Sequence, residues 1–315
     1  VWGVIALKIA VIGAGAMGSI FGSMLSKVCE VSLIDINDEH VEAVRKNGLI
    51  VENMDGSRTI SRVFMTTRHA ELAKPVDLAI IFTKSYHTQD AAFTAQAILD
   101  ADGVALTLQN GIGNLEILQK VLGTQMAIAG VTSHGGTFLG PGIVRHAGKG
   151  LTHIANIPSK NTLIEKIAEI FNAANIETIL SDNWKSLIWG KLIINVGINA
   201  LAAICRVPNG IIGKNSQCLG IMKDAVSEAV AVSNLLGVKL PYEDPVEQVK
   251  KVCEATSTNR ASMLQDVLRG TRTEIGAING AIVDEAKALG ILTPVNQFLT
   301  RTVKAIETSA EHRIG

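Results

Sequence analysis

Apolar and polar positions follow two different rhythms along this chain. Up to about residue 181, apolar runs of strand length alternate with stretches at helical spacing, and beyond it the helical spacing continues to the end. Runs at 8–12, 31–34, 76–82, 104–108, 127–131, 151–157 and 176–180 predict strands, and 19–25, 39–46 and 163–174 predict helices. Such alternation buries a mostly parallel sheet between helices. The pattern predicts an α/β, Rossmann-like N-terminal domain over 1–181 with a mainly parallel sheet, and an all-α C-terminal domain over 182–315. Breaks at 207–210, Gly237, 241–245, Gly270 and Gly290 divide the second half into helices joined by short connections.

One window interrupts its own hydrophobicity. Between Asp182 and Cys205 the chain is apolar enough for a core helix, yet Lys191, Asn195 and Asn199 recur at four-residue intervals. Four-residue steps drift by only about 40° on a helix, so an amine and two carboxamides share one face. A membrane span of this length would pay heavily for those three residues. Alternatively, Lys191 extends its head to the surface and the asparagines bond neighbouring backbone. A lysine is rarely buried without a partner, so the stripe points to a cleft that binds an oxygen-rich ligand.

Composition narrows the class of ligand. Lys+Arg and Asp+Glu both number 29, so net charge favours neither nucleic acid nor an acidic membrane surface. Cys29, Cys205, Cys218 and Cys253 form no Cys-x-x-Cys pair and read as reduced thiols of a cytoplasmic protein. The seven histidines include no His-x-x-x-His pair, so no metal site is expected. The apolar run 1–7 is short, without a basic flank or a cleavage pattern, and reads as no secretion signal.

Candidate chemistry begins at the first strand. Gly13-Ala14-Gly15-Ala16-Met17-Gly18 stands between a strand and a helix. There the first glycine permits a tight turn, the second lets backbone approach a pyrophosphate, and the third allows close helix packing. Asp35 ends the second strand, where an acid can bond a ribose 2'-hydroxyl and repel a 2'-phosphate, which favours NADH. Alternatively, it begins a turn through Asn37 to a helix capped by Asp38. Lys84 and Asn110 follow later strands, where ligands of open parallel sheets bind and where ordinary turn residues also fall. Ser133 to Gly136 and Gly140-Pro141-Gly142 read as turns.

In the helical half, Asn259 and Ser262 stand three apart and are expected on one side of a helix. Thr271 and Glu274 precede Ile275, Ile278 and Ile282 in the pattern of a capping box.

Together these residues resemble the ketopantoate reductase family along almost the whole chain. The likeness rests on the Gly13 to Gly18 loop, Lys84, Gln109-Asn110-Gly111, Ser133-His134-Gly135-Gly136 and Gly140-Pro141-Gly142 in the first half. It continues in Trp189 to Asn195 with Asn199, Pro208-Asn209-Gly210, Ser262 to Asp266, and Thr273-Glu274-Ile275 with Asn279-Gly280. The resemblance implies reduction of 2-dehydropantoate to pantoate, a step of pantothenate and coenzyme A synthesis, with Lys191 as general acid. It implies that Asn195, Asn199, Asn209, Asn259 and Ser262 contact substrate and that Asn110 lies between nicotinamide and substrate. Lys84 and Gly136 would meet the cofactor with the glycine loop, and Glu274 would sit beside the reacting centre and the cofactor ribose. Two positions depart from the family pattern. Asp35 stands where many members carry arginine or another non-acidic residue and use NADPH, and Asn199-Ala200-Leu201-Ala202 replaces the familiar Asn-Pro-Leu-Thr.

The expected cofactor is therefore NADPH by family and NADH by Asp35. The expected partner is a small 2-oxo acid, bound in a cleft between the domains, with no nucleic acid or membrane and with a homodimer left open. Two other readings remain: a reductase of another branched 2-oxo acid, and an NAD(P) sensor without turnover.

Overall fold

The computed structural model describes residues 7–72 and 75–312. Residues 1–6 of the apolar N-terminal run lie outside them. The chain divides into two compact units, one of residues 1–109 and 114–184, the other of residues 110–113 and 185–315.

The first unit is built on an eight-stranded sheet. Its strands are β1 (Lys8–Ile12), β2 (Glu30–Ile34), β5 (Phe64–Thr66), β6 (Val76–Ile81), β7 (Leu99–Thr107), β8 (Ala127–Thr132), β11 (Thr152–Ala155) and β12 (Thr178–Ser181), in the order β12-β11-β8-β7-β6-β1-β2-β5. From β5 to β8 every pairing is parallel, and the run β5-β2-β1-β6-β7-β8 is the 3-2-1-4-5-6 order of a dinucleotide-binding fold. Only β8 and β11 pair antiparallel within this sheet. β1 is central, so four of its five residues are buried, which explains its near-continuous apolar run. α1 (Ala16–Leu25), α2 (Asp38–Asn47), α3 (Thr88–Ile98), α4 (Asn114–Leu122) and α5 (Asn161–Ala173) complete the α/β alternation. Ile9, Val11, Phe21, Leu33, Leu78 and Leu106 belong to its core.

A second, four-stranded sheet departs from the expected pattern. β3 (Leu49–Glu52), β4 (Arg58–Ser61), β9 (Gly135–Gly140) and β10 (Ile143–Gly148) form it in the order β4-β3-β10-β9. Gly135, Gly136 and Gly140, read as turn residues, lie in β9, and only Pro141-Gly142 reverses the chain. A Cβ on Gly136 would lie 2.6 Å from Ile20 Cδ1 and 3.1 Å from Met17 Sδ. This glycine thus packs closely on side chains of α1 rather than forming a turn. The cap of α2 is also corrected: Asn37 accepts from the His40 N–H at 3.0 Å, and Asp38 is the first helical residue.

The second unit is helical. It holds α6 (Trp184–Cys205), which begins at the edge of the first unit, and α7 (Asn209–Lys214), α8 (Ser216–Leu235), α9 (Pro245–Ala255), α10 (Ser262–Leu268), α11 (Asn279–Ala288) and α12 (Pro294–Thr308). Leu192, Val196, Met222, Val226, Ile282 and Leu299 are among its core residues. By length and composition α6 could cross a membrane, but 67% of its apolar window is buried inside the protein, as in a core helix. Gly190 and Gly197 make that burial close. A Cβ on Gly190 would lie 2.7 Å from Pro241 Cγ, and one on Gly197 2.9 Å from Val249 Cγ1. At about 100° per residue both glycines fall roughly opposite the stripe of Lys191, Asn195 and Asn199.

Candidate active site

The glycine loop owes its shape to two backbone approaches. Gly13 has φ +89°, and a Cβ there would lie 2.4 Å from the backbone nitrogen of Thr83. A Cβ on Gly18 would lie 2.0 Å from the Gly13 carbonyl oxygen. At Gly15 a Cβ would meet nothing within 4 Å, so the loop faces open space where a phosphate group can approach. Gly15 is also the N-cap of α1, no side chain caps that end, and its first turn carries no acid. Ala14 is buried, while Ala16 and Met17 are half-buried in the first turn. An anion thus meets a helix N-terminus with its amides still to be satisfied. These residues fit the diphosphate of a dinucleotide.

Around the loop, Asp35 lies at the end of β2, its own N–H donating to Thr66 O at 3.2 Å. One carboxylate oxygen accepts from the Asn37 N–H at 3.0 Å, so Asp35 does start the turn into α2. That bond occupies one oxygen, and the side chain keeps its position beyond the sheet. Lys84 is half-buried three residues after the end of β6 and opens a short 3-10 turn. Gln109 ties the ends of β6 and β7 together by donating to Thr83 O at 2.8 Å and to Thr88 Oγ1 at 2.9 Å.

In the second unit, Lys191 and Glu274 are electrostatic partners. Burial lowers the Lys191 pKa to about 8, while the Glu274 carboxylate pulls it upward. Glu274 itself is only 8% exposed. Asn195 is half-buried on the same helix face, and Asn199 is buried. Asn110 belongs to the loop 110–113 of this unit, which packs onto the chain just after Glu274. Ile112 N–H donates to Ala277 O at 3.2 Å, and a Cβ on Gly111, at φ +84°, would lie 2.3 Å from that oxygen. The capping box expected at Thr271 and Glu274 does not form. Ile275–Ala277 is a 3-10 turn without a side-chain cap, and Thr273, rather than Thr271, accepts from Ile275 N–H at 3.1 Å.

A further group joins Asn209 and Asn259. Asn209 N–H donates to Asn259 O at 3.0 Å, and Asn209 Nδ2 donates to Thr256 Oγ1 at 2.9 Å. Oδ1 of Asn209 is buried and has no hydrogen-bond partner in the protein, so it retains an acceptor. Asn259 does not share a helix with Ser262. α9 ends at Ala255, and the bond from Asn259 N–H to Thr256 O at 2.9 Å closes a turn before Ser262 starts α10.

Two supports were given no role in the sequence reading, where Asn279 entered only as part of the family resemblance. His40 and Ser19 both bond the carbonyl of Ala14 inside the glycine loop. Asn279 is fully buried and donates to Val196 O in α6 at 3.2 Å and to Asn296 Oδ1 at 3.0 Å. In each case the available signal was a polar residue on an otherwise apolar helix stripe, His40 with Val41 and Val44, Asn279 with Ile275, Ile278 and Ile282.

Comparison with known proteins gives concordant results. Residues 9–159 match the family model described as ketopantoate reductase PanE/ApbA, and residues 183–307 match its C-terminal counterpart. The chain is 38% identical over 306 residues to the 2-dehydropantoate 2-reductase of Pyrococcus horikoshii, covering 96% of this chain and 98% of that protein. The crystal structure of a PanE/ApbA family ketopantoate reductase from Ralstonia eutropha has a TM-score of 0.89 and 34% identity, covering 97% of this chain and all (100%) of that one. A ternary structure of D-mandelate dehydrogenase with NADH and anilino(oxo)acetate has a TM-score of 0.90 and 32% identity, with the same coverage, 97% and 100%.

Proposed function

Since the chain belongs to the ketopantoate reductase family, we propose that it reduces the ketone of 2-dehydropantoate to the alcohol of pantoate with a nicotinamide cofactor, using Lys191 as the proton donor. The observation that carries the role of Lys191 is its pairing with Glu274 on a buried helix, which leaves an amine of pKa about 8. When bound, the reduced nicotinamide supplies a hydride to the carbonyl carbon. Negative charge then develops on the carbonyl oxygen, which the Lys191 ammonium stabilises before giving up its proton to form the alcohol. Lys191 is left as the neutral amine and is reprotonated from water. An amine near pKa 8 is mostly protonated at neutral pH yet gives its proton more readily than an ordinary lysine.

The remaining polar groups suit binding. Asn195, Asn199, Asn209, Asn259 and Ser262 can hold a carboxylate and a hydroxyl without adding a charge that competes with Lys191. The glycine loop and the start of α1 hold the diphosphate, with Lys84, Asn110, Gly136 and Glu274 as further cofactor contacts. NADH is the preferred cofactor, because Asp35 places a carboxylate where the adenosine ribose 2'-hydroxyl is read and a 2'-phosphate is repelled. A cytoplasmic setting suits a small-molecule reductase with unpaired cysteines.

A second reading, reduction of another 2-oxo acid, is favoured by the likeness to D-mandelate dehydrogenase and by Ala200 and Ala202 in the lysine helix. Initial rates with 2-dehydropantoate and with benzoylformate, each with NADH and with NADPH, separate the two. The proposal expects the highest kcat/KM with 2-dehydropantoate and NADH. A large preference for benzoylformate would establish the second reading, and absence of any ketoacid-dependent oxidation would exclude both.

A further inference from the structure

His40 lies on the buried side of α2, 1% exposed. Its two ring nitrogens face different parts of the first unit. The N–H of Gly142, in the turn between β9 and β10, donates to Nδ1 at 2.8 Å. A backbone amide can only donate, so Nδ1 is unprotonated and the neutral ring carries its hydrogen on Nε2. Nε2 is 2.9 Å from the carbonyl oxygen of Ala14. Ser19 Oγ donates to the same oxygen at 2.7 Å and lies 3.3 Å from Nε2. Phe138 from β9 packs against the imidazole with ring centroids 5.0 Å apart and planes at 75°. Burial keeps the His40 pKa below its ordinary value and so favours the neutral ring.

Two donors therefore converge on one carbonyl of the glycine loop. In a trans peptide the C=O and the N–H lie in one plane and point in opposite directions. Holding the Ala14 oxygen toward His40 and Ser19 turns the Gly15 amide the other way, at the residue whose missing Cβ leaves open space. We propose that His40 is a positioning residue for the dinucleotide. As the Nε2–H tautomer it fixes, together with Ser19, the Ala14–Gly15 peptide so that the Gly15 amide faces the diphosphate, and it ties that geometry to the β9–β10 turn. The inference rests on the reading of the glycine loop as the dinucleotide site.

The two halves of the imidazole can be replaced separately. Glutamine places an amide nitrogen near the position of Nε2 and keeps the donor to Ala14, whereas asparagine places a carbonyl near Nδ1 and keeps only the acceptor for Gly142. Dissociation constants of NADH and NADPH are measured by fluorescence titration for the wild type, His40→Gln, His40→Asn and Ser19→Ala, with melting temperatures of the unliganded proteins. His40→Asn and Ser19→Ala are expected to weaken binding about tenfold, the scale of one lost hydrogen bond, while His40→Gln retains most of the affinity. Ser19→Ala tests the same carbonyl if His40→Asn does not fold. Nitrogen-15 shifts of the His40 ring should show Nδ1 unprotonated and Nε2 protonated. Equal affinities of folded His40→Asn and wild type, or the opposite tautomer, would overturn the inference while wild-type binding upheld the loop. A wild type that binds neither cofactor would overturn the loop reading and this inference with it.

Discussion

Glu274 acts on Lys191 against the effect of burial. Desolvation drives the lysine pKa down, the carboxylate pulls it up, and the amine settles at about 8. The sign of each contribution makes the catalytic proposal testable through its pH dependence.

Reduction consumes the ammonium form, so kcat for ketone reduction should be level below about pH 8 and fall as pH rises through that value. In Glu274→Gln the upward pull is lost and burial remains, so the basic limb should move to lower pH. The pH profile of kcat at saturating cofactor and substrate checks this. An unmoved limb would remove the coupling from the account.

Asp35→Asn removes the charge beside the expected ribose while preserving an oxygen to accept from Asn37 N–H, which sets the turn at 3.0 Å. The ratio of kcat/KM with NADPH to that with NADH should rise about tenfold, as relief of charge repulsion predicts. Parallel rates with the two cofactors measure it. An unchanged ratio would mean that Asp35 serves only the turn.

Gly111→Ala forces a Cβ to within 2.3 Å of Ala277 O at a residue with φ +84°. The cost should be about 1–3 kcal/mol, lowering the melting temperature and displacing Asn110 from the Glu274 segment. Gly276→Ala is the control, since a Cβ there meets nothing within 4 Å. Thermal melts of the two variants should separate clearly. Similar melts would show that the loop 110–113 is not held by this packing.

The order β1–α1–β2 could be read directly because the central strand is buried on both faces and glycine marks the turn. The lysine helix was also readable, since three polar residues at four-residue spacing stand out on an apolar background. β3 and β4 were hidden because each has only four residues, and the β9–β10 hairpin because Gly135, Gly136 and Gly140 carry the residue type of turns. Gly136 packs against side chains of α1, a contact invisible along the chain. Asn259 and Ser262 fit helical spacing, yet Asn259 closes a turn back to Thr256 while Ser262 starts α10. The contributions of His40 and Asn279 depend on which distant carbonyl each reaches, which spacing does not encode.

The central claim is that the Lys191 ammonium provides the proton for ketone reduction. Its most direct test is kcat of Lys191→Ala for 2-dehydropantoate at neutral pH, on protein whose cofactor binding and melting temperature match the wild type. The account predicts a fall of about two orders of magnitude or more, the scale of lost general-acid catalysis. A rate within about threefold of wild type would contradict it, because general-acid catalysis is worth far more than that.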